Sequence, residues 1–73
     1  MKTRKSIELM MADAFARHGA KVEVTFISNE EFNIHTEDAA SMETAKDLLA
    51  LAGHKPTGEH FDSDCGYFAW FAF

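Results

Sequence analysis

Gly66-Tyr67-Phe68-Ala69-Trp70-Phe71-Ala72-Phe73 closes the sequence, and its reading decides the fold. A strand turns its side chains to the two sides of a sheet alternately. Here both alternating sets are apolar: Tyr67, Ala69, Phe71 and Phe73 on one side, Phe68 and Trp70 on the other. Such a strand belongs inside a sheet, with a neighbour on each edge. Ser63-Asp64-Cys65-Gly66 before it is turn chemistry, so residues 57–73 read as a hairpin. With Gly66 at the positive φ of a type I turn with a G1 bulge, Ser63 pairs with Tyr67 and Phe61 with Ala69. Phe61 then joins the Tyr67 side, while His60 and Asp62 join Phe68 and Trp70.

A second hairpin lies upstream. In Lys21–Ile27, Val22, Val24 and Phe26 alternate with Lys21, Glu23, Thr25 and Ile27. In Phe32–Thr36, Phe32 and Ile34 alternate with Asn33 and His35. Placing Phe26 opposite Ile34 puts both in the core, pairs Ser28 with Phe32, and leaves the loop Asn29–Glu31. It also sets Thr25 opposite His35 on the outer face.

Two amphipathic segments precede the hairpins. In residues 6–18, Ile7, Met11, Ala14, Phe15 and His18 form one helical stripe, with Gly19 as a left-handed C-cap. Ser6 is the preferred N-cap over Thr3, because Arg4 and Lys5 in a first turn oppose the helix dipole. The second helix is capped by Thr36 or Asp38, buries Met42, Ala45, Leu48, Leu49 and Ala52, and ends at Gly53 before Pro56.

The order is helix, two strands, helix, two strands, over a single α+β domain, residues 1–73. It predicts an αββαββ two-layer sandwich: a four-stranded antiparallel sheet with both helices on one face. The order resembles a ferredoxin-like βαββαβ domain whose first strand has moved to the C-terminus. That resemblance implies an interior position for residues 66–73.

Composition bounds the rest. Of 73 residues 47% are hydrophobic and 26% charged, enough apolar surface for a folded core. A chain this short is near the lower limit for a single core, so self-association, a homodimer, is expected. One cysteine excludes an internal disulfide and points to a reducing cytoplasm. No apolar run approaches the ~18 residues of a membrane span, and Glu8, Asp13 and Arg17 interrupt any signal-peptide core. The net charge is −5, but Lys2, Arg4 and Lys5 crowd the first five positions, so residues 6–73 carry four basic and twelve acidic groups, a net −8. An acidic body repels nucleic-acid backbones and suits a basic protein surface.

Catalytic candidates are weak, and no enzyme activity is expected. Asp62 and Asp64 disfavour a thiolate at Cys65, and no nucleophile elbow, phosphate loop, dinucleotide fingerprint or zinc motif occurs. His54, His60, Asp62, Asp64 and Cys65 lie within twelve residues, but no spacing forces a metal site, and no metal or cofactor is expected. The outer sheet face is more informative. Trp70, Phe68, His60, His35, Thr25 and Asp62 project from it, with Asn33 and Ile27, and two helices cannot cover both sides of the sheet. Such a patch marks an interface. The expected function is a small acidic protein-binding module, a regulator or inhibitor, with Glu23, Glu31, Glu59 and Asp62 as an acidic rim. Two alternatives use the same face: a small ligand or metal held by the histidines and aromatics, and single-stranded nucleic acid stacked on the rings.

The acidic-capped helix ending Leu51-Ala52-Gly53 before an aromatic strand resembles small regulators that inhibit a larger enzyme by binding it. Ferredoxin-like inhibitors of RNase E and acidic phage-encoded inhibitors, anti-CRISPR proteins included, are two such groups. The resemblance is one of size, charge and architecture, and it assigns no residue a role.

Overall fold

The computed structural model describes residues 4–72. They form α1 (Arg4–Arg17), β1 (Glu23–Phe26), β2 (Glu31–Thr36), α2 (Ala39–Leu51), β3 (Pro56–Asp62) and β4 (Gly66–Ala72). The strands make one antiparallel sheet in the order β1-β2-β4-β3. This is the expected αββαββ α+β arrangement, with β4 paired on both edges. The strand order fits a ferredoxin-like sheet whose first strand has moved to the end.

One face of the sheet builds the core. Val22, Val24, Phe32, Ile34, Ala69 and Phe71 meet Phe15 of α1 and Met42, Ala45 and Leu49 of α2. Phe32 and Phe71 stack at 5.4 Å and, with Ile34, are the largest fully buried side chains. Both helices end alike. The Ala20 and Gly19 N–H groups donate to the Phe15 and Ala16 carbonyls, and those of His54 and Gly53 to Leu49 and Ala50, satisfying carbonyls the helices leave open. Asp38 caps α2, accepting from the Ser41 hydroxyl at 2.8 Å and from the Ala40 and Ser41 N–H groups. The Ser41 hydroxyl chiefly, then these amides, hold the Asp38 carboxyl below the usual carboxylate range.

Several expected details are corrected. α1 starts at Arg4 rather than after a Ser6 cap, so the basic arm does not stay outside the helix. Arginine and lysine are strong helix formers, and the dipole penalty of an exposed charge is only about 0.3–1 kcal/mol. A Thr3 cap would lie outside the described residues, as do Lys2 and Phe73. On α1, Ala14 and His18 are exposed, and Ala12 packs beside Met11 instead; Ala52, at the end of α2, is exposed too.

Both hairpins close two residues earlier than expected. Val24 faces Ile34 and Phe26 faces Phe32, so Thr25 lies opposite Asn33, not His35. The Ser28 hydroxyl accepts from the Glu30 N–H and draws Ser28 into the loop. In the second hairpin Phe61 faces Tyr67 and Asp62 faces Gly66. Asp62 Oδ1 accepts from the Asp64 and Cys65 N–H groups at 2.8 and 3.1 Å, so the turn begins at Asp62. A two-residue slip preserves parity, so the aliphatic, aromatic and histidine side chains of the strands keep their expected faces. Exposure is another matter for Phe61. It stays on the helix side but is 57% exposed, because α1 packs on β1 and α2 on β2, leaving β3 at an uncovered edge.

Among the described residues, no helix is long and apolar enough to cross a membrane. At Gly66 β4 presses against the end of β2. Its φ is +104°, and a Cβ there would lie 2.6 Å from the Thr36 carbonyl oxygen and 2.8 Å from Glu37 Cα. Gly66→Ala is predicted to destabilise by about 2 kcal/mol or more, read as a lowered urea midpoint. Gly58→Ala, whose Cβ would sit at an ordinary 3.7 Å from the Trp70 ring, should shift stability by less than about 1 kcal/mol.

Candidate functional site

Alternation along β4 turns Phe68 and Trp70 away from the helices, and its neighbours surround them. His35 on β2 and His60 on β3 both lie opposite Phe68, and Asn33 lies opposite Trp70. The His35 ring stacks on Phe68 at 4.5 Å, Trp70 follows Phe68 at 6.1 Å and 21°, and His60 tilts against Phe68 at 6.2 Å. The rings form a cross-strand row on the bare face of the sheet. Phe68 and Trp70 are half-buried by these contacts, not covered by another element.

Polar bonds hold the row in place. His35 Nε2 donates to the Cys65 carbonyl at 2.5 Å, which puts a proton on that nitrogen and sets the plane of the ring. Asn33 Nδ2 donates to the Ala69 carbonyl at 3.3 Å. Asp62 holds the turn from which the Cys65 carbonyl projects. The Asp64 and then the Cys65 amide lower the Asp62 carboxyl from its ordinary range, and nearby His60 adds to this.

The structure brings Trp70, Phe68, His60 and His35 together. Asp62 lies on the same face, two residues along β3 from His60. Thr25 also faces outward, but Asn33 separates it from Trp70, so it stands at the margin. Ile27, past the end of β1, is exposed. The acidic rim is smaller than expected. Glu59 lies on the helix side and pairs with Lys46 of α2 at 2.7 Å, which leaves Glu23, Glu31 and Asp62 outside. Among the described residues, no strand contains a lysine or arginine.

Two small residues gain meaning only with the register. Gly58 lies opposite Trp70, and Ala72 is the next outward position beyond it. The polar neighbours do not build a metal centre: among the described residues no three histidine, cysteine or carboxylate side chains come together to hold an ion. His54 is instead edge-on to the core ring of Phe32. Grooves lie along the helix–sheet margins among the described residues, one of about 330 Å³ between α1 and β1 and two others of about 610 and 310 Å³. The groove of about 610 Å³ is lined by Lys21, Thr36 and Asp38, and that of about 310 Å³ by Met42, Lys46, Phe61 and Tyr67.

No family model, curated protein or solved structure matches this chain.

The lowered Asp62 carboxyl fixes a sign. A carboxyl depressed in the folded state adds stability above its unfolded value, near pH 3.9, and loses it as pH falls through the folded value. Melting curves between pH 6 and 2.5 should show Asp62→Asn, which keeps an amide-accepting oxygen without the charge, losing less melting temperature than the wild type.

Proposed function

We propose that the chain is a small acidic protein-binding module that regulates or inhibits a larger protein by contact, without catalysis of its own. The outer sheet face is its docking surface, with Phe68 and Trp70 as anchors, His35 and His60 beside them, and Asp62 and Thr25 at the margin. One observation supports this above the rest: the aromatic row lies in fixed geometry on a face that neither helix covers. Aromatic anchors in a polar rim are the usual source of interface energy.

Charge favours the partner's chemistry. Glu23, Glu31 and Asp62 face outward with no strand cation among them, which suits a basic protein surface. Nucleic acid fits poorly, because no cation on the strands would meet its phosphates. A second copy placed back to back would set these carboxylates against their own kind, so a homodimer is the less favoured occupant. A cytoplasmic inhibitor carried by a phage or mobile element, of the anti-CRISPR sort, is the biological setting that agrees with this chemistry.

Affinity capture from the native host tests the reading, with wild-type and Trp70→Ala proteins as paired baits and circular dichroism as the fold control. The expected outcome is a partner held by the wild type and lost at least tenfold by a folded Trp70→Ala, since an anchor ring contributes about 2 kcal/mol or more. Equal retention by both baits would remove the outer face as the docking surface. Mass in solution, measured alongside, checks for a second copy.

A further inference from the structure

The ring row has one open end. Trp70 meets Phe68 on one side of its ring, and no other ring is stacked on it among the described residues. Beyond it on β4 the next outward side chain is Ala72, an exposed methyl too short to cover the indole. Across from Ala72, on β2, stands Glu31, also exposed. Residues diagonal across an antiparallel pair stand about 7–8 Å apart, within reach of a long side chain. Glu31 is therefore a diagonal neighbour of Trp70 on the same face. On the other edge β3 is irregular between Pro56 and Gly58, and Gly58 puts no side chain beside the ring. The short Ala72 side chain thus leaves a step between Trp70 and the Glu31 carboxylate diagonal to it, and at the β3 edge the Thr57 hydroxyl donates to the Trp70 carbonyl at 3.2 Å.

We propose that this step binds an arginine side chain of the partner, its guanidinium flat on Trp70 and its N–H fork toward Glu31. The proposal rests on the outer face being the docking surface and names what that surface selects. A cation within about 6 Å of an indole centroid is attracted by the ring's negative face. A planar guanidinium can stack on the ring and donate to a carboxylate together, whereas an ammonium is a compact, strongly hydrated point charge. Two of the helix cations are already engaged: Arg17 pairs with Asp13, and Lys46 with Glu43 and Glu59.

Trp70 is the single tryptophan, so its fluorescence reports the site directly. The probes are three capped eight-residue peptides that alternate glycine with arginine, lysine or citrulline, titrated at low salt. Citrulline keeps the shape of arginine and removes its charge. The expected result is a saturable change in Trp70 emission with the arginine peptide, weaker binding of the lysine peptide and no response to citrulline. Glu31→Gln should weaken the arginine peptide about three- to tenfold, the scale of one cation–π or charge-assisted contact. Ala72→Leu, at an exposed position, should fill the step and abolish the response with the circular dichroism spectrum unchanged.

An equal response to arginine and citrulline, no response to either, or an arginine titration unaffected by both variants would each overturn the site. The two readings also separate. If Ala72→Leu and Glu31→Gln keep the host partner while Trp70→Ala loses it, the docking face stands and the arginine site falls. If Trp70→Ala keeps the partner, both fall.

Discussion

Two short helices cannot cover both sides of a four-stranded sheet whose central strand is apolar on each, and the rest of the molecule follows from that mismatch. β4 lies between β2 and β3, so its backbone groups are paired on both edges and its side chains have only the two faces to enter. On the helix side Ala69 and Phe71 are fully buried, and the small Ala69 lies among the larger core residues Ile34, Phe32 and Phe71. The other side receives Phe68 and Trp70 with no second layer above them. They are partly shielded by the only groups available, the side chains of neighbouring strands.

Lys46 and Arg17 are engaged on the helix side and the strands carry no cation, which leaves the bare face acidic. Lys46 reaches from α2 to Glu59 at 2.7 Å and to Glu43 at 3.2 Å, tying the helix to the edge strand that neither helix otherwise covers. The Lys46 ammonium is correspondingly raised above its ordinary value, chiefly by its bond to Glu59. Arg17 is taken by Asp13 one turn back on α1. The outward carboxylates Glu23 and Glu31 have no such partner on their own strands. Glu23, Glu31 and Asp62 are left on the side of the sheet that carries the rings.

Much of this arrangement was legible in the residues, because face assignment depends only on parity. The apolar alternation of Val22, Val24, Phe32, Ile34 and Phe71 placed those side chains on the core side, and both slipped hairpins preserved it. The registers themselves were not legible. They turned on whether Ser28 and Asp62 would extend a strand or fold back to bond their own loops, a choice between local hydrogen bonds of similar strength. The start of α1 and the exposure of Phe61 were lost for different reasons. A weak dipole penalty does not override helix propensity at Arg4 and Lys5, and no sequence pattern says how far α2 reaches across the sheet. Gly58 and Ala72 carried no signal, since a small residue matters only once its cross-strand neighbour is known.

The rings do more than lie in a row, because a chain of contacts anchors them to the fold. Gly66 lets the turn pack against Thr36 and Glu37, at a distance no other residue would permit. Asp62 fixes that turn through the Asp64 and Cys65 amides, and the Cys65 carbonyl in turn takes the His35 proton. His35 then braces Phe68, and Phe68 braces Trp70. A side chain ordered before binding has less rotamer freedom to lose, a loss worth about 0.5–1.5 kcal/mol for each one immobilised at an interface. The same turn that closes the hairpin therefore also prepares the surface beside it.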